Sequence, residues 1–303
     1  AGFDAEGERA PGWVATEEVT ALVRDFWQQW PKSIELSGNT LTLGLFPSLE
    51  QGQYEGREPV DRHFYLFENR DYLIKTGVAK RHEIWLDFGE QADPEQLTAT
   101  ADSPLRAVAK PDWVAETGAM GEVVPAGEGV ALDYDRVSAA NARSLAVARE
   151  EEKHYGVLNW GDWFGERVYN WGNNEYDTAH AFYRLLARTG NVRYLHEGER
   201  AAKHQADIDI LHALNEDYLE SGELGGYDFP LDVGAMYLHA FGHVGGYLPL
   251  EEAAGMFPKA YTAADPRNLG HVWTEGLFET HYLTGDPWVK EAALELADYL
   301  ASL

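Results

Sequence analysis

The stretch from Asn159 to Asp177 reads Asn159-Trp160-Gly161-Asp162-Trp163-Phe164-Gly165-Glu166-Arg167-Val168-Tyr169-Asn170-Trp171-Gly172-Asn173-Asn174-Glu175-Tyr176-Asp177. Three tryptophans, four carboxylates, three asparagine amides besides Asn159 and one arginine share a glycine-punctuated loop. A surface loop has little reason to carry three indoles, because exposing them is unfavourable. Lining a cleft for a polyhydroxylated ligand accounts for them. Trp160, Trp163 and Trp171 would stack on sugar rings, while Asp162, Glu166, Asn173, Asn174 and Asp177 would hold hydroxyls. The competing account is structural: the indoles pack beneath the loop and the polar groups cap helices.

Three further stretches carry chemistry. His239 and His243 stand four apart in Asp232-Val233-Gly234-Ala235-Met236-Tyr237-Leu238-His239-Ala240-Phe241-Gly242-His243, on one face of an expected helix. The spacing suits a metal, but no Glu lies between them and no Cys exists to help, so proton transfer or hydroxyl contacts fit better. In Gly270-His271-Val272-Trp273-Thr274-Glu275-Gly276-Leu277, His271 and Glu275 share a helical face beside Trp273. Lys80 and His82 form a smaller cluster ahead of a strand, either facing a cleft or lying exposed.

The elements that must position these residues change character near Asp135. Before it the chain alternates and turns. Ser33–Leu36 and Thr40–Phe46, joined by Ser37-Gly38-Asn39, read as a hairpin. His63–Phe67 and His82–Phe88 read as strands. Glu17–Trp27 has helical spacing, Asp93-Pro94 opens a short helix, and Leu105–Gly129 reads as a connection. After Asp135 the period is helical. Asp135 is expected to cap a helix to about Glu152, and Asn174 one ending at Gly190, with Tyr176 and His180 on its apolar face. Asn191 caps one to about Ile210. A shorter helix is expected at Val233–His243, then Gly270–Leu283 and Pro287–Ser302 with Asp286 as cap. Thr189-Gly190-Asn191 and Thr284-Gly285-Asp286 punctuate two helix pairs alike, which suggests repeated helical hairpins. The expected class is therefore β + α multidomain: a β-sandwich-like domain over 1–134 and a partial α/α toroid over 135–303.

Composition bounds the partners. With 51 acidic and 24 basic residues in 303, the net charge is −27. Phosphate-rich nucleic acid and anionic membrane surfaces would be repelled. No apolar run is long enough to cross a bilayer. Lysine is scarce, as suits either high ionic strength or plain solubility. The absence of cysteine excludes disulfides, thiolate nucleophiles and Cys-ligated zinc. Ala1–Pro11 has neither the basic nor the apolar region of a leader, which leaves extracellular and cytoplasmic locations both open.

Asn159-Trp160-Gly161-Asp162-Trp163, Asn173-Asn174-Glu175-Tyr176-Asp177, Gly270–Leu277 and the strand segment Gly77–Phe88 together resemble the exo-rhamnogalacturonan lyase (YetA-like) family, over most of the chain from about Val19. The resemblance implies an N-terminal β-barrel, a central β-sandwich and a C-terminal α/α toroid. This chain is similar to the sandwich and the first half of the toroid, so it is expected to be a fragment. The implied reaction is β-elimination at a uronic acid next to rhamnose, from a chain end. Such chemistry needs amides or a cation, a divalent ion such as calcium included, to neutralise the uronate. It also needs a base for the C5 proton and an acid for the leaving oxygen. On chemical grounds Arg167, Asn173 and Asn174 suit the carboxylate, and His243, His271 or Tyr176 the proton transfers, with Glu275 beside them. A glycoside hydrolase using two of Asp162, Glu166, Glu175, Asp177 and Glu275, or a non-catalytic sugar-binding module, would share these residues.

Overall fold

The computed structural model describes residues 9–51, 67–68, 71–72, 74, 77–89, 93–127, 132–164, 172–214, 232–236 and 271–303. It shows a mixed α+β protein with small antiparallel sheets. β1 (Trp13–Ala15), β2 (Thr20–Val23) and β7 (Ile84–Asp87) form one sheet in the order β1-β2-β7. Ala21 pairs with Val14 and Leu86, and Val23 with Ile84. All four β2 residues are buried. That burial explains why the expected helix over Glu17–Trp27 is not formed. A strand covered on both faces reads as a continuous apolar run, which periodicity cannot separate from a helix.

β3 (Ser33–Ser37) and β4 (Thr40–Gly44) form the expected hairpin, with Ser37 opposite Thr40. Gly38 takes φ +57, the left-handed conformation its turn requires. β5 (Phe67–Glu68) and β6 (Asp71–Tyr72) form a second short hairpin. Among the described residues two helices lie in this half. α1 (Pro94–Asp102) begins as expected, with Asp93 accepting from the N–H groups of Glu95 and Gln96. α2 (Pro111–Thr117) falls inside the stretch expected to be connection, opened by Pro111 and closed by left-handed Gly118.

α3 (Leu132–Glu151) begins before Asp135. Asp135 instead receives the Gly127 N–H and the Arg188 guanidinium, so it is not the cap expected. α4 (Thr178–Thr189) starts later than expected, capped by Asp177 and not Asn174. Asn191 caps α5 (Val192–His204), which runs into a π-helical turn, Gln205–Asp209. Residues 232–236 are turn and bridge, and the rest of the helix expected at Val233–His243 lies outside the described residues. α6 (Glu275–Thr284) follows, and α7 (Pro287–Ser302) is capped by Asp286 as expected.

The α4–α5 and α6–α7 hairpins pack into one core around Tyr183, Leu195, Ala202, Ile210, Leu277, Ala293 and Leu296. Gly198 lets α5 approach α4: an added Cβ would lie 2.5 Å from the Tyr183 ring. Segment 77–83, which leads into β7, docks on the π turn. Ala79 N–H donates to the Asp207 carbonyl, while Arg81 donates to the Asp207 carboxylate at 2.7 Å and to Asp286 at 3.1 Å.

Candidate functional site

The tryptophan-rich loop is held from within. Asp162 Oδ1 accepts from the backbone N–H groups of Trp163 and Asn173, both at 2.7 Å. Asn173 Nδ2 donates to the Ala201 carbonyl and Asn174 Nδ2 to Asp209 Oδ2, each at 2.9 Å. Trp163 Nε1 donates to Thr178 Oγ1. Asp177 caps α4 through the His180 N–H and joins it to α6 through the Gly276 N–H. Asp162, Asn173, Asn174 and Asp177 are at most 5% exposed. Their polar groups organise the loop and are turned away from solvent, with Asn173 Oδ1 and Asn174 Oδ1 left without a hydrogen-bond partner among the described residues. Four of the residues expected to grip sugar hydroxyls, Asp162, Asn173, Asn174 and Asp177, therefore face the protein interior.

The loop does meet the later helical segment. Trp273 Nε1 donates to the Asn174 carbonyl at 2.8 Å, and Gln205 Nε2 donates to the Trp273 carbonyl at 2.8 Å. His271 Nδ1 stands 4.0 Å from Glu175 Oε2. Tyr176 and Glu275 are exposed close by. His180 Nδ1 lies 2.9 Å from Glu279 Oε2, and that hydrogen bond raises the imidazole pKa despite partial burial. Glu166, Arg167, Trp171, His239 and His243 lie outside the described residues.

On another side of the same loop is a cavity of about 250 Å³, near the lower end of ligand pockets, which run from about 300 Å³. Segments 24–29 and 80–83 of the β-rich half form one wall. Trp160, α5 and the π turn form the other, through His196, Glu199, Arg200, Lys203, His204 and Asp207. Lys80, His82 and Trp160, expected to meet a ligand, converge here. Lys80 and His82 are partly buried and lie in this wall, so they are not an exposed basic strand start. The Arg200 guanidinium sits 4.9 Å from the Trp160 ring centroid, a cation–π contact. His204 joins cavity to loop: Nδ1 is 3.3 Å from the Trp160 carbonyl, while Nε2 is 3.4 Å from Asp162 and 3.6 Å from Asp209.

Five cationic side chains (Arg24, Lys80, Arg81, Arg200 and Lys203) line this cavity, interleaved with five carboxylates (Asp25, Glu83, Glu199, Asp207 and Asp286), in a chain of net charge −27. Glu199, 2% exposed, accepts Lys203 at 2.8 Å and Arg106 at 3.0 Å, with Arg24 at 3.5 Å. Burial alone would raise its carboxyl, but Lys203, Arg24 and Arg106 outweigh burial and hold it at about 2. Lys32, behind the cavity, is 4% exposed, and its Nζ lies 3.0 Å from His82 Nδ1. Burial first and Lys80 second lower its pKa to about 7. Burial, Lys32 and Lys80 lower His82 to about 3, so its imidazole is neutral near neutral pH. Burial also lowers His196.

Several buried polar atoms on these wall residues have no hydrogen-bond partner among the described residues. Arg24 Nε, Arg81 Nη2 and Trp160 Nε1 are obligate donors. Gln29 Oε1 and Glu199 Oε2 are acceptors, and His82 Nε2 and His196 Nδ1 take either role. Such a set suits a ligand with acidic oxygens and hydroxyls together. Among the described residues no group of three or more His, Asp and Glu side chains is arranged to hold a metal ion.

The wall residues Arg24, Arg81, His196, Glu199, Arg200, Lys203 and His204 escape a reading of the sequence. Their signal is nonetheless there: His196, Glu199, Arg200, Lys203 and Asp207 recur at helical spacing. A charged helix face normally marks solvent, and only the docking of segment 77–83 covers this one. No protein-family model matches the chain, and a search of curated proteins finds no match either.

Proposed function

We propose that this chain is part of a carbohydrate-active enzyme, a polysaccharide lyase that binds an acidic sugar unit in the cavity beside Trp160 and cleaves next to it by β-elimination. In this reading the small sheets belong to a β-sandwich-like domain and the two helical hairpins to an α/α toroid. The substrate is a rhamnogalacturonan-type polysaccharide, as the sequence resemblance implies. One observation carries the proposal: buried donors without a hydrogen-bond partner among the described residues (Arg24 Nε, Arg81 Nη2 and Trp160 Nε1) meet around one tryptophan in a cavity where cations match carboxylates in number, in an otherwise strongly acidic chain.

The chemistry follows from the wall. Arg24, Arg81 and Lys203 lower the cost of the enolate that forms when a C5 proton leaves a uronate. His196, kept neutral by burial and with Nδ1 unpartnered, is the base for that proton. The hydrolase alternative needs a carboxylic acid that keeps its proton at working pH. Glu199 and Glu83, which line the cavity, are both pushed down by neighbouring donors and cations that outweigh their burial, and Asp177, whose carboxyl burial raises, is not part of its lining, which favours the lyase reading at this cavity. Incubating the protein with rhamnogalacturonan and following absorbance of the unsaturated product tests the proposal, with calorimetric titration of galacturonate in parallel. Absorbance growth with uronate binding is expected. Binding without turnover selects the sugar-binding module, reducing ends without absorbance select the hydrolase, and no binding at all overturns the site.

A further inference from the structure

Lys32 is an unusual neighbour for the cavity. Its amine is buried, and among the described residues its one hydrogen bond is to an imidazole, not a carboxylate. While Lys32 is an ammonium it has only N–H groups to give, so its Nζ donates and His82 Nδ1 accepts. In that state the ring proton sits on Nε2. His82 Nε2 is buried, has no partner among the described residues, and belongs to a side chain lining the cavity. The Phe46 ring, 5.7 Å away and steeply inclined, packs against the imidazole and limits its rotation.

We propose that Lys32 and His82 form a two-residue proton relay, in which His82 Nε2–H protonates the leaving oxygen of a sugar held in the cavity while Lys32 reloads the ring through Nδ1. The inference rests on the lyase reading and supplies its acid. As the bond to the leaving oxygen breaks, its electron pair goes to that oxygen. The His82 Nε2–H bond breaks and the new O–H bond forms. The Lys32 Nζ–H bond breaks and the Nδ1–H bond forms. The imidazole stays neutral throughout and only changes tautomer, so the site never adds an imidazolium to the buried Lys32 and Lys80. Lys32 ends as a neutral amine; after product leaves, a proton from water enters at His82 Nε2, the Nδ1–H bond breaks and that proton returns to Lys32 Nζ, which restores both groups. His82 is the catalytic residue, and Lys32 acts through it.

The surrounding charges fit this division. His82 faces Lys32 and Lys80; Lys32 faces Lys80 and the weaker opposing charge of Asp25; Lys80 lies 3.6 Å from Asp207, with Arg81 and Asp25 close by. Burial, with Lys32 and Lys80 beside it, lowers His82 too far for it to store a proton itself. Lys32, lowered to about 7, both holds a proton and releases it near neutral pH, which is where a general acid is most effective.

The test uses Lys32→Arg, which keeps charge and donor but cannot give up its proton, beside Lys32→Met and His82→Gln. Each should lose about 10²-fold or more in kcat, the scale of general acid catalysis, with galacturonate affinity within a few-fold of wild type. The alkaline limb of the wild-type kcat profile, reporting Lys32, should vanish in Lys32→Arg. In ¹⁵N-histidine spectra of the wild-type chain, His82 should be the Nε2–H tautomer, and Lys32→Met should release that preference. Full activity in Lys32→Arg, or an Nδ1–H tautomer in the wild type, overturns the relay and leaves the lyase reading standing. Uronate binding with no elimination by the wild-type chain overturns the lyase reading and the relay's reaction with it.

Discussion

Replacing Lys32 by methionine removes a buried ammonium whose cost can be worked from the structure. Lys32 is 4% exposed, and its pKa falls from 10.5 to about 7 on folding. Between those values the unfolded chain binds more protons than the folded one, so the contribution of Lys32 to stability rises with pH. At roughly 1.36 kcal/mol for each pH unit, the folded state carries a penalty of about 4 kcal/mol near pH 7 and only about 1 kcal/mol near pH 9.5. Methionine keeps much of the stem volume and drops the titration, at a pH-independent cost of about 1 kcal/mol for the lost hydrogen bond to His82. The variant should therefore be the more stable protein by about 3 kcal/mol near pH 7, and about equal to wild type near pH 9.5. Urea unfolding of both proteins across that range measures the difference from midpoints and slopes. Groups common to both, including Tyr183, whose pKa burial raises, cancel in the comparison. A gap that stays constant with pH to within about 1 kcal/mol would refute the reasoning, because Lys32 would then titrate alike in both states. A residue retained at such a cost is the kind that function maintains against stability.

Glu199, held at about 2 by Lys203, Arg24 and Arg106 against its burial, stabilises the fold above the ordinary value of 4.5. That stability, about 3 kcal/mol at most, is lost as pH falls from about 4.5 towards 2. Glu199→Gln should flatten the acid limb of the unfolding free energy measured by denaturant titration. Asp177→Ala removes the α4 cap and the bond to the Gly276 N–H, and should cost about 1–3 kcal/mol in thermal unfolding. His196→Gln should lower kcat for elimination by about 10²-fold or more while calorimetric uronate affinity stays within a few-fold.

Local chemistry made much of the architecture legible. Asp93-Pro94, Thr189-Gly190-Asn191 and Asp286-Pro287 specify helix ends by side-chain oxygens, ring-fixed φ and left-handed glycine, and those ends stand where the spacing puts them. The Gly38 turn did the same for its hairpin. Where an end depends on which of several polar residues faces the backbone, as with Asp177 over Asn174, the choice belongs to packing. So does the state of Thr20–Val23, whose burial on both faces comes from neighbours distant in sequence.

The site divides along the same line. Residue types announced a cluster of Trp, Asp, Asn and His around 159–177 and 271–275, and the tertiary structure brings those two stretches into contact. Type alone does not say which way a side chain turns. Asp162, Asn173 and Asn174 spend hydrogen bonds inside, while Lys80, His82 and Trp160 meet a charged face of α5 that reads as solvent-facing in isolation. That cavity exists because the β-rich half docks on the π turn at Asp207, and the buried contact of Lys32 with His82 because residues distant in sequence meet within that half. Burial and through-space charge are properties of that assembly, and they decide which groups can exchange protons.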